Sequence, residues 1–254
     1  MKRIVLGFCC ALCAISASAD TWTDPTTGIT WPYVVKDGKA IVGTGASVLS
    51  SNCHGDINIP KQIAGLDVVG INDWAFSPRT GGYVAYRLRS ISIPYGVETI
   101  GRAAFSGGDS YTSNLREIVL PDSVTEMGAS VFWECNFLES VTLSENLTGI
   151  ADFAFEGCTS LSTIAIPSKV KVLGEQAFYK CSKLQTVSIA EGSELTSIGK
   201  KAFASCSALE QIVIPAGVTT IGEGAFDSCS NLTSVTLPES SIVSGEIMRR
   251  RVEG

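Results

Sequence analysis

Residues 225–238 read AFDSCSNLTSVTLP, and Cys229 there lies three residues after Phe226 and three before Leu232. The same spacing returns at Cys135, Cys158, Cys181 and Cys206. A cysteine recurring at one phase of a pattern is a metal ligand, a disulfide partner or core filler. Which of these holds decides what chemistry the chain can do.

Working outward from Phe226, the chain aligns on Phe76, Phe105, Phe132, Phe155, Phe178 and Phe203, at intervals of 23 to 29 residues. Five residues before each Phe stands a large apolar residue: Ile71, Ile100, Met127, Ile150, Leu173, Ile198 and Ile221. A glycine follows it at Gly101, Gly128, Gly174, Gly199 and Gly222. Downstream come a Leu, an apolar-x-apolar triplet and usually Pro, as in Leu161, Ile164, Ile166 and Pro167. Self-similarity at a period of 20 to 30 residues is the mark of a solenoid, whose single unit cannot enclose its own apolar side chains.

Each part of the unit has a physical task. Val235 and Leu237 alternate with Ser234 and Thr236, the period of two that gives a strand with one buried face. Equivalent strands of successive coils then pair in parallel, about 4.8 Å apart. Proline lacks an N–H donor and ends the strand. Ile221, Ala225, Phe226, Cys229 and Leu232 recur at steps of three and four, which predicts a single helical or 3-10 turn on the opposite face. Gly222 and its equivalents are expected to let the chain bend into that turn.

The unit resembles the leucine-rich repeat of bacterial surface proteins, the BspA-like or Treponema pallidum type, over about residues 57–238. Ordinary leucine-rich repeats carry an Asn three residues after the last strand Leu. That slot here holds Gln62, Gly96, Ser123, Asn146, Lys169, Gly217 and Ser240, which sets the chain apart from the common eukaryotic subclass. Ser144 and Ala190 replace the proline, and Ala151 replaces the glycine. The resemblance implies a leucine-rich-repeat solenoid with a parallel β-sheet on one face. It further implies an exported or cell-surface scaffold that binds another macromolecule, in adhesion or in host, matrix or cell recognition.

The flanks fit that expectation. Residues 1–19 have a basic start at Lys2 and Arg3, an apolar run from Ile4 to Ile15 and a small-residue site at Ala17-Ser18-Ala19. This reads as a signal peptide, with an apolar run too short to span a bilayer. Residues 20–56 read as an N-terminal cap containing a β-hairpin, Tyr33–Val35 facing Ala40–Val42 across Asp37-Gly38. The repeats occupy 57–238. A tail, 239–254, loses register at Ser241 and Ser244 and shows no recognisable cap, so the chain reads either as part of a longer protein or as one whose last edge is covered by other means.

The composition removes several functions. Net charge is −6, and −8 once Lys2 and Arg3 are set aside, which does not suit nucleic acid or anionic lipid. Tetrahedral zinc needs four converging ligands, whereas a cysteine every 23 or 25 residues forms a row, and His54 is the sole imidazole. Disulfides meet a Cα separation inside the allowed range, but parallel side chains hold the Cβ atoms too far apart. The row of Phe132, Cys135, Phe155, Cys158, Phe178, Cys181, Phe203, Cys206, Phe226 and Cys229 therefore reads as a core ladder with reduced thiols. Cys53 stays open. Cys53 and His54 are adjacent and point to opposite sides of an extended segment, and no phosphate loop, HExxH, GxSxG or EF-hand pattern occurs. No cofactor and no catalysis are expected.

Two surfaces remain. The outward strand positions, such as Thr186/Ser188 and Ser234/Thr236, are small and uncharged. They read either as plain strand propensity facing solvent or as a platform for a protein or glycan partner. The second surface lies in the two long repeats, where Phe76 to Leu88 takes twelve residues and Phe105 to Leu115 takes ten, against six in regular copies. Those insertions sit at one phase of neighbouring coils and bring Arg79, Tyr83, Tyr86, Asp109 and Tyr111 together. Tyr and Arg are interface anchors, although solenoid loops also tolerate insertions without function. The competing reading is a structural spacer or envelope module of a larger surface protein.

Overall fold

The computed structural model describes residues 19–44, 55–77, 88–108, 114–237 and 242–243. The chain opens with β1 (Asp20–Thr23), β2 (Thr30–Lys36) and β3 (Lys39–Val42). The last two form a hairpin with Tyr33 opposite Val42 and Val35 opposite Ala40. Its turn residues, Asp37 at φ +51° and Gly38 at φ +73°, give the twist a two-residue hairpin needs. β1 adds a further antiparallel strand to β2, pairing Trp22 with Trp31.

From there the chain winds into coils held by two rows of parallel strands rather than one. After β4 (Gly55–Asn58) comes a small hairpin, β5 (Gln62–Ile63) and the first part of β6 (Leu66–Ile71). The apolar-x-apolar triplets then form β7 (Leu88–Ser92), β9 (Glu117–Val119), β11 (Ser140–Thr142), β12 (Thr163–Ile166), β14 (Thr186–Ile189), β16 (Gln211–Val213) and β18 (Ser234–Thr236). Between them, in five of the seven copies, the large apolar residue five before the Phe ends a two-residue strand of a second row: β8 (Thr99–Ile100), β10 (Glu126–Met127), β13 (Val172–Leu173), β15 (Ser197–Ile198) and β17 (Thr220–Ile221). β3 pairs in parallel with β6 and so joins the hairpin to this second row, while β19 (Ile242–Val243) extends it beyond β17. The apolar-in, polar-out alternation holds along the first row: Ile118, Ile164 and Ile212 are buried, and Glu117, Thr163 and Gln211 are exposed.

The turn on the other face is not helical, and no helix occurs among the described residues. The residue two before each Phe is left-handed, with φ between +51° and +65° at Trp74, Ala103, Ser130, Phe153, Gln176, Lys201 and Gly224. In the later coils the residue two after it is left-handed too, at Glu134, Gly157, Lys180, Ser205 and Ser228. A helix needs a continuous right-handed run to close its i→i−4 bonds, and these residues interrupt it on both sides of the Phe. Isolated i→i+3 bonds remain, such as Tyr179 N–H to the Gln176 carbonyl at 3.1 Å. The compensation is between coils: from Phe76 to Phe203 each of these Phe N–H groups donates to a carbonyl of the next coil, as Phe132 to Ala154 and Phe155 to Ala177, both at 2.8 Å. A spacing of three and four residues fits one helical turn and this punctuated turn equally well, which is why the sequence pointed to the wrong one.

The glycine after the second-row strand also has a different role from the expected bend. Gly222, Gly199 and Gly128 have no positive φ. A Cβ on Gly222 would stand 2.4 Å from the Lys200 nitrogen, and one on Gly128 2.5 Å from the Arg102 nitrogen. Both lie under the 3.0 Å that real Cβ contacts keep, so the residue is there to let two backbones approach. The coil carrying Ala151 supplies the contrast. Gly128, Gly174, Gly199 and Gly222 each donate to the carbonyl of the preceding coil, at 2.8 Å, but Ala151 makes no such bond to Met127. At that coil the second row thins to one isolated bridge, Ile150 to Leu173. The first row is interrupted between β11 and β12 and again between β14 and β16, so its breaks do not follow the glycine.

Inside the coils the Phe rings form a continuous stack. Phe132, Phe155, Phe178 and Phe203 follow one another at 5.2 Å between centroids, and Trp31 closes the N-terminal end edge-on to Phe76 at 6.5 Å. Beside them runs the thiol row, in which Cys135, Cys158, Cys181 and Cys206 are fully buried. Each Sγ donates to the Phe carbonyl one coil back, as Cys158 to Phe132 at 3.2 Å and Cys181 to Phe155 at 3.1 Å. The thiol thus fills space and satisfies a buried carbonyl at once.

Candidate functional site

The two long repeats differ from the regular ones in what surrounds their loops. Arg79, Tyr83, Tyr86, Asp109 and Tyr111, together with Cys53 and His54, lie outside the described residues. The roots of both insertions are described. They leave next to Phe76 and Phe105, whose rings stack at 5.2 Å. They return at Leu88 and Leu115, both buried, which lead into the paired strands β7 and β9. The two loops therefore spring from adjacent coils and rejoin them side by side.

A charged rim that the sequence reading did not single out surrounds the returning ends. Arg116 Nη1 donates to Glu139 Oε1 at 2.5 Å, and Ser90 Oγ donates to Asp56 Oδ1 at 2.8 Å. With Arg89 and Glu117 these side chains line a shallow hollow of about 290 Å³. Its charges are solvent-exposed, so each pair contributes little to stability but presents directional donors and acceptors to a partner. The signal for it in the sequence was slight: a charged residue just after the Leu in neighbouring copies, visible only once the coils are stacked. The outward strand positions beyond this rim, including Ser140, Thr163, Ala165 and Thr186, are exposed.

No three His, Cys, Asp or Glu among the described residues cluster as a metal site. The five phased cysteines are free. Burial pushes Cys158, Cys181 and Cys206 well above the ordinary thiol value. Cys229, less enclosed at the end of the row, is pushed from 9.0 to about 11, again by burial. These four stay protonated at neutral pH, the opposite of a reactive thiolate. A thiol reagent at pH 8 is accordingly expected to modify the native row slowly and Cys229 first, and all five in concentrated guanidinium. Blocked thiols in the denatured chain would show the row to be oxidised. Because the folded thiols keep protons that the unfolded chain releases, stability is full below about pH 8.5 and falls as pH rises through the Cys229 value near 11. Chemical denaturation at pH 8 and pH 10.5 measures that loss.

Among the described residues no helix is long and apolar enough to cross a membrane. No curated protein sequence matches the chain. Among solved structures it is similar to a leucine rich cell surface protein from Faecalibacterium prausnitzii A2-165, at 28% identity and a TM-score of 0.70. That match covers 87% of this chain but only 55% of the other, so the chain spans little more than half of that protein's length. The leucine rich repeat protein of T. pallidum is similar at 25% identity and a TM-score of 0.59, over 88% of this chain and 86% of that one. The pneumococcal vaccine antigen PcpA shares the fold at 20% identity, with a TM-score of 0.52 and coverage of 87% and 71%. Residues 80–195 and 196–247 match, in 6 copies, the family described as BspA type leucine rich repeat region, and the chain belongs to that family.

Proposed function

We propose that this chain is an exported or cell-surface repeat scaffold that binds another macromolecule, a protein or a glycan, without catalysing a reaction. The observation that supports it most is the pair of insertions rooted in adjacent coils of a rigid stack, with the Arg89, Arg116 and Glu139 rim at their return. A framework tied by a continuous Phe stack and cross-coil hydrogen bonds loses little conformational freedom on binding, which favours affinity without new contacts. The loop residues Arg79, Tyr83, Tyr86, Asp109 and Tyr111 would supply the anchors, and the rim would orient the partner. Export rests on the leader-like residues 1–19 and on the similarity to a protein described as a cell surface protein.

The test is a pull-down and surface-binding assay with the mature chain against host or neighbouring-cell surface extracts. Substituting Tyr83, Tyr86 and Tyr111 together by Ala is expected to weaken capture at least tenfold while leaving the melting temperature within about 2 °C, as loop substitutions do. Undiminished capture by this variant would move the site elsewhere. The spacer reading draws on the second row running on through β19, as an array built to transmit position would. It predicts that no partner is retained by either form.

A further inference from the structure

The first coil carries a feature that the repeat does not require. Between β4 and the second-row residues of β6 the chain makes the β5–β6 hairpin, with Ala64 at φ +52° and Gly65 at φ +81° in its turn and Gln62 paired with Asp67. Gln62 Nε2 donates to Asp67 Oδ1 at 2.8 Å, and Lys39 Nζ donates to Oδ2 at 2.6 Å. These bonds, Gln62 first and Lys39 second, hold the Asp67 carboxyl below its ordinary range. Facing this hairpin is Tyr95, 75% exposed. Its slot, just after the strand-ending proline, is filled by Asp122, Glu145, Ser168, Glu191 and Ala216 in the later coils; an aromatic ring stands there only in this one.

The loop that presents Tyr95 is fixed on both sides. Glu98 N–H donates to the Val69 carbonyl at 2.8 Å. Gly96 N–H donates to Ser123 Oγ at 3.0 Å, and that hydroxyl donates to the Val97 carbonyl at 2.8 Å. Between ring and hairpin lies a hollow of about 550 Å³, lined by Lys39, Lys61, Gln62, Asp67, Tyr95 and Glu98. That size is within the range of small-ligand sites.

We propose that this hollow is a carbohydrate subsite that seats a neutral pyranose unit against the ring of Tyr95. A pyranose has a C–H face that leaves water readily against an aromatic ring, and an edge of hydroxyls that needs fixed donors and acceptors. Gln62 keeps its carbonyl oxygen open after committing its amide to Asp67, while Lys61 and Glu98 have no ion-pair partner among the described residues. Lys39 and Lys61 balance Asp67 and Glu98, so the hollow selects against a strongly charged ligand. Val68 is buried beneath the hollow and Val69 half-buried at its edge, so the polar groups that could fix hydroxyls come from the hairpin and from Lys61 and Glu98. The subsite shares no residue with the loop-bearing rim and stands independently of it.

Saturation-transfer NMR on the full chain, with cellohexaose, mannohexaose and N-acetylchitohexaose as probes, tests this. At least one probe is expected to receive transfer. Tyr95→Ala should weaken its binding about tenfold or more with the thermal transition unchanged, and Tyr95→Trp should retain it. The triple Tyr83, Tyr86 and Tyr111 variant should bind the sugar as the parent does. Absence of transfer to all three probes, or equal binding by Tyr95→Ala, overturns the proposal. So does a signal lost in the triple variant and kept in Tyr95→Ala, which would place the sugar on the insertion loops.

Discussion

Phe155→Ala is expected to lower stability by about 4 kcal/mol, the upper part of the range for truncating a buried aromatic. Phe155 is fully buried and stacks on Phe132 at 5.2 Å and on Phe178 at 5.2 Å. Truncation removes ring contacts on both sides and leaves a cavity that the fixed coils close poorly, because the backbone on either side is tied by the Phe155-to-Ala177 and Phe132-to-Ala154 hydrogen bonds. In a solenoid each coil is supported by its nearest neighbours, so the damage falls on the interfaces either side of Phe155. Equilibrium denaturation should show the whole transition shifted or split into two halves. A loss under about 1 kcal/mol would mean that the stack is not the spine of the array.

Gly199→Ala should cost about 3 kcal/mol, the upper end of ordinary overpacking. A Cβ there stands 2.5 Å from the Gly174 carbonyl carbon and 2.6 Å from the Glu175 nitrogen. Both are backbone atoms, and no rotamer change relieves the contact. The relief available is to part the coils, which breaks the Gly199 N–H bond to the Leu173 carbonyl at 2.8 Å. Ala151 already shows that arrangement, with its thinned second row. Gly149→Ala is the control: its Cβ would meet only the Val172 carbonyl oxygen, at an ordinary 3.7 Å, so the change should be neutral or slightly stabilising. Hydrogen exchange at residue 199 reports the opening directly. Retained protection together with unchanged stability in Gly199→Ala would refute the close-approach role.

The two substitutions divide what could be read early from what could not. Phe155 was legible as core because burial depends on side-chain type recurring at one phase, and that recurrence is in the sequence. The conformation of the turn around it was not legible. Steps of three and four residues place the same side chains inward whether the backbone runs as a helix or is punctuated by left-handed residues such as Phe153 and Lys180. Gly199 was visible as a recurrent glycine but was misassigned to bending, since nothing local reveals a neighbouring backbone at van der Waals contact. The candidate site was legible to a similar degree. Loop lengths exposed the insertions at Phe76 and Phe105, whereas the Arg116–Glu139 pair, 23 residues apart, emerged only from stacking.

The sequence by itself determined the period, the strand that faces inward at every copy, the thiol and Phe rows and the family to which they point. These follow from burying apolar side chains, and the pattern of apolar residues encodes that burial directly. Only the tertiary structure decided that a second strand row exists, that the turns bond between coils and not within them, and that Tyr95 faces the Gln62–Asp67 hairpin. Each of those depends on the few ångströms between one coil and the next. That distance is set jointly by residues more than 20 positions apart, and no single stretch of the chain carries it.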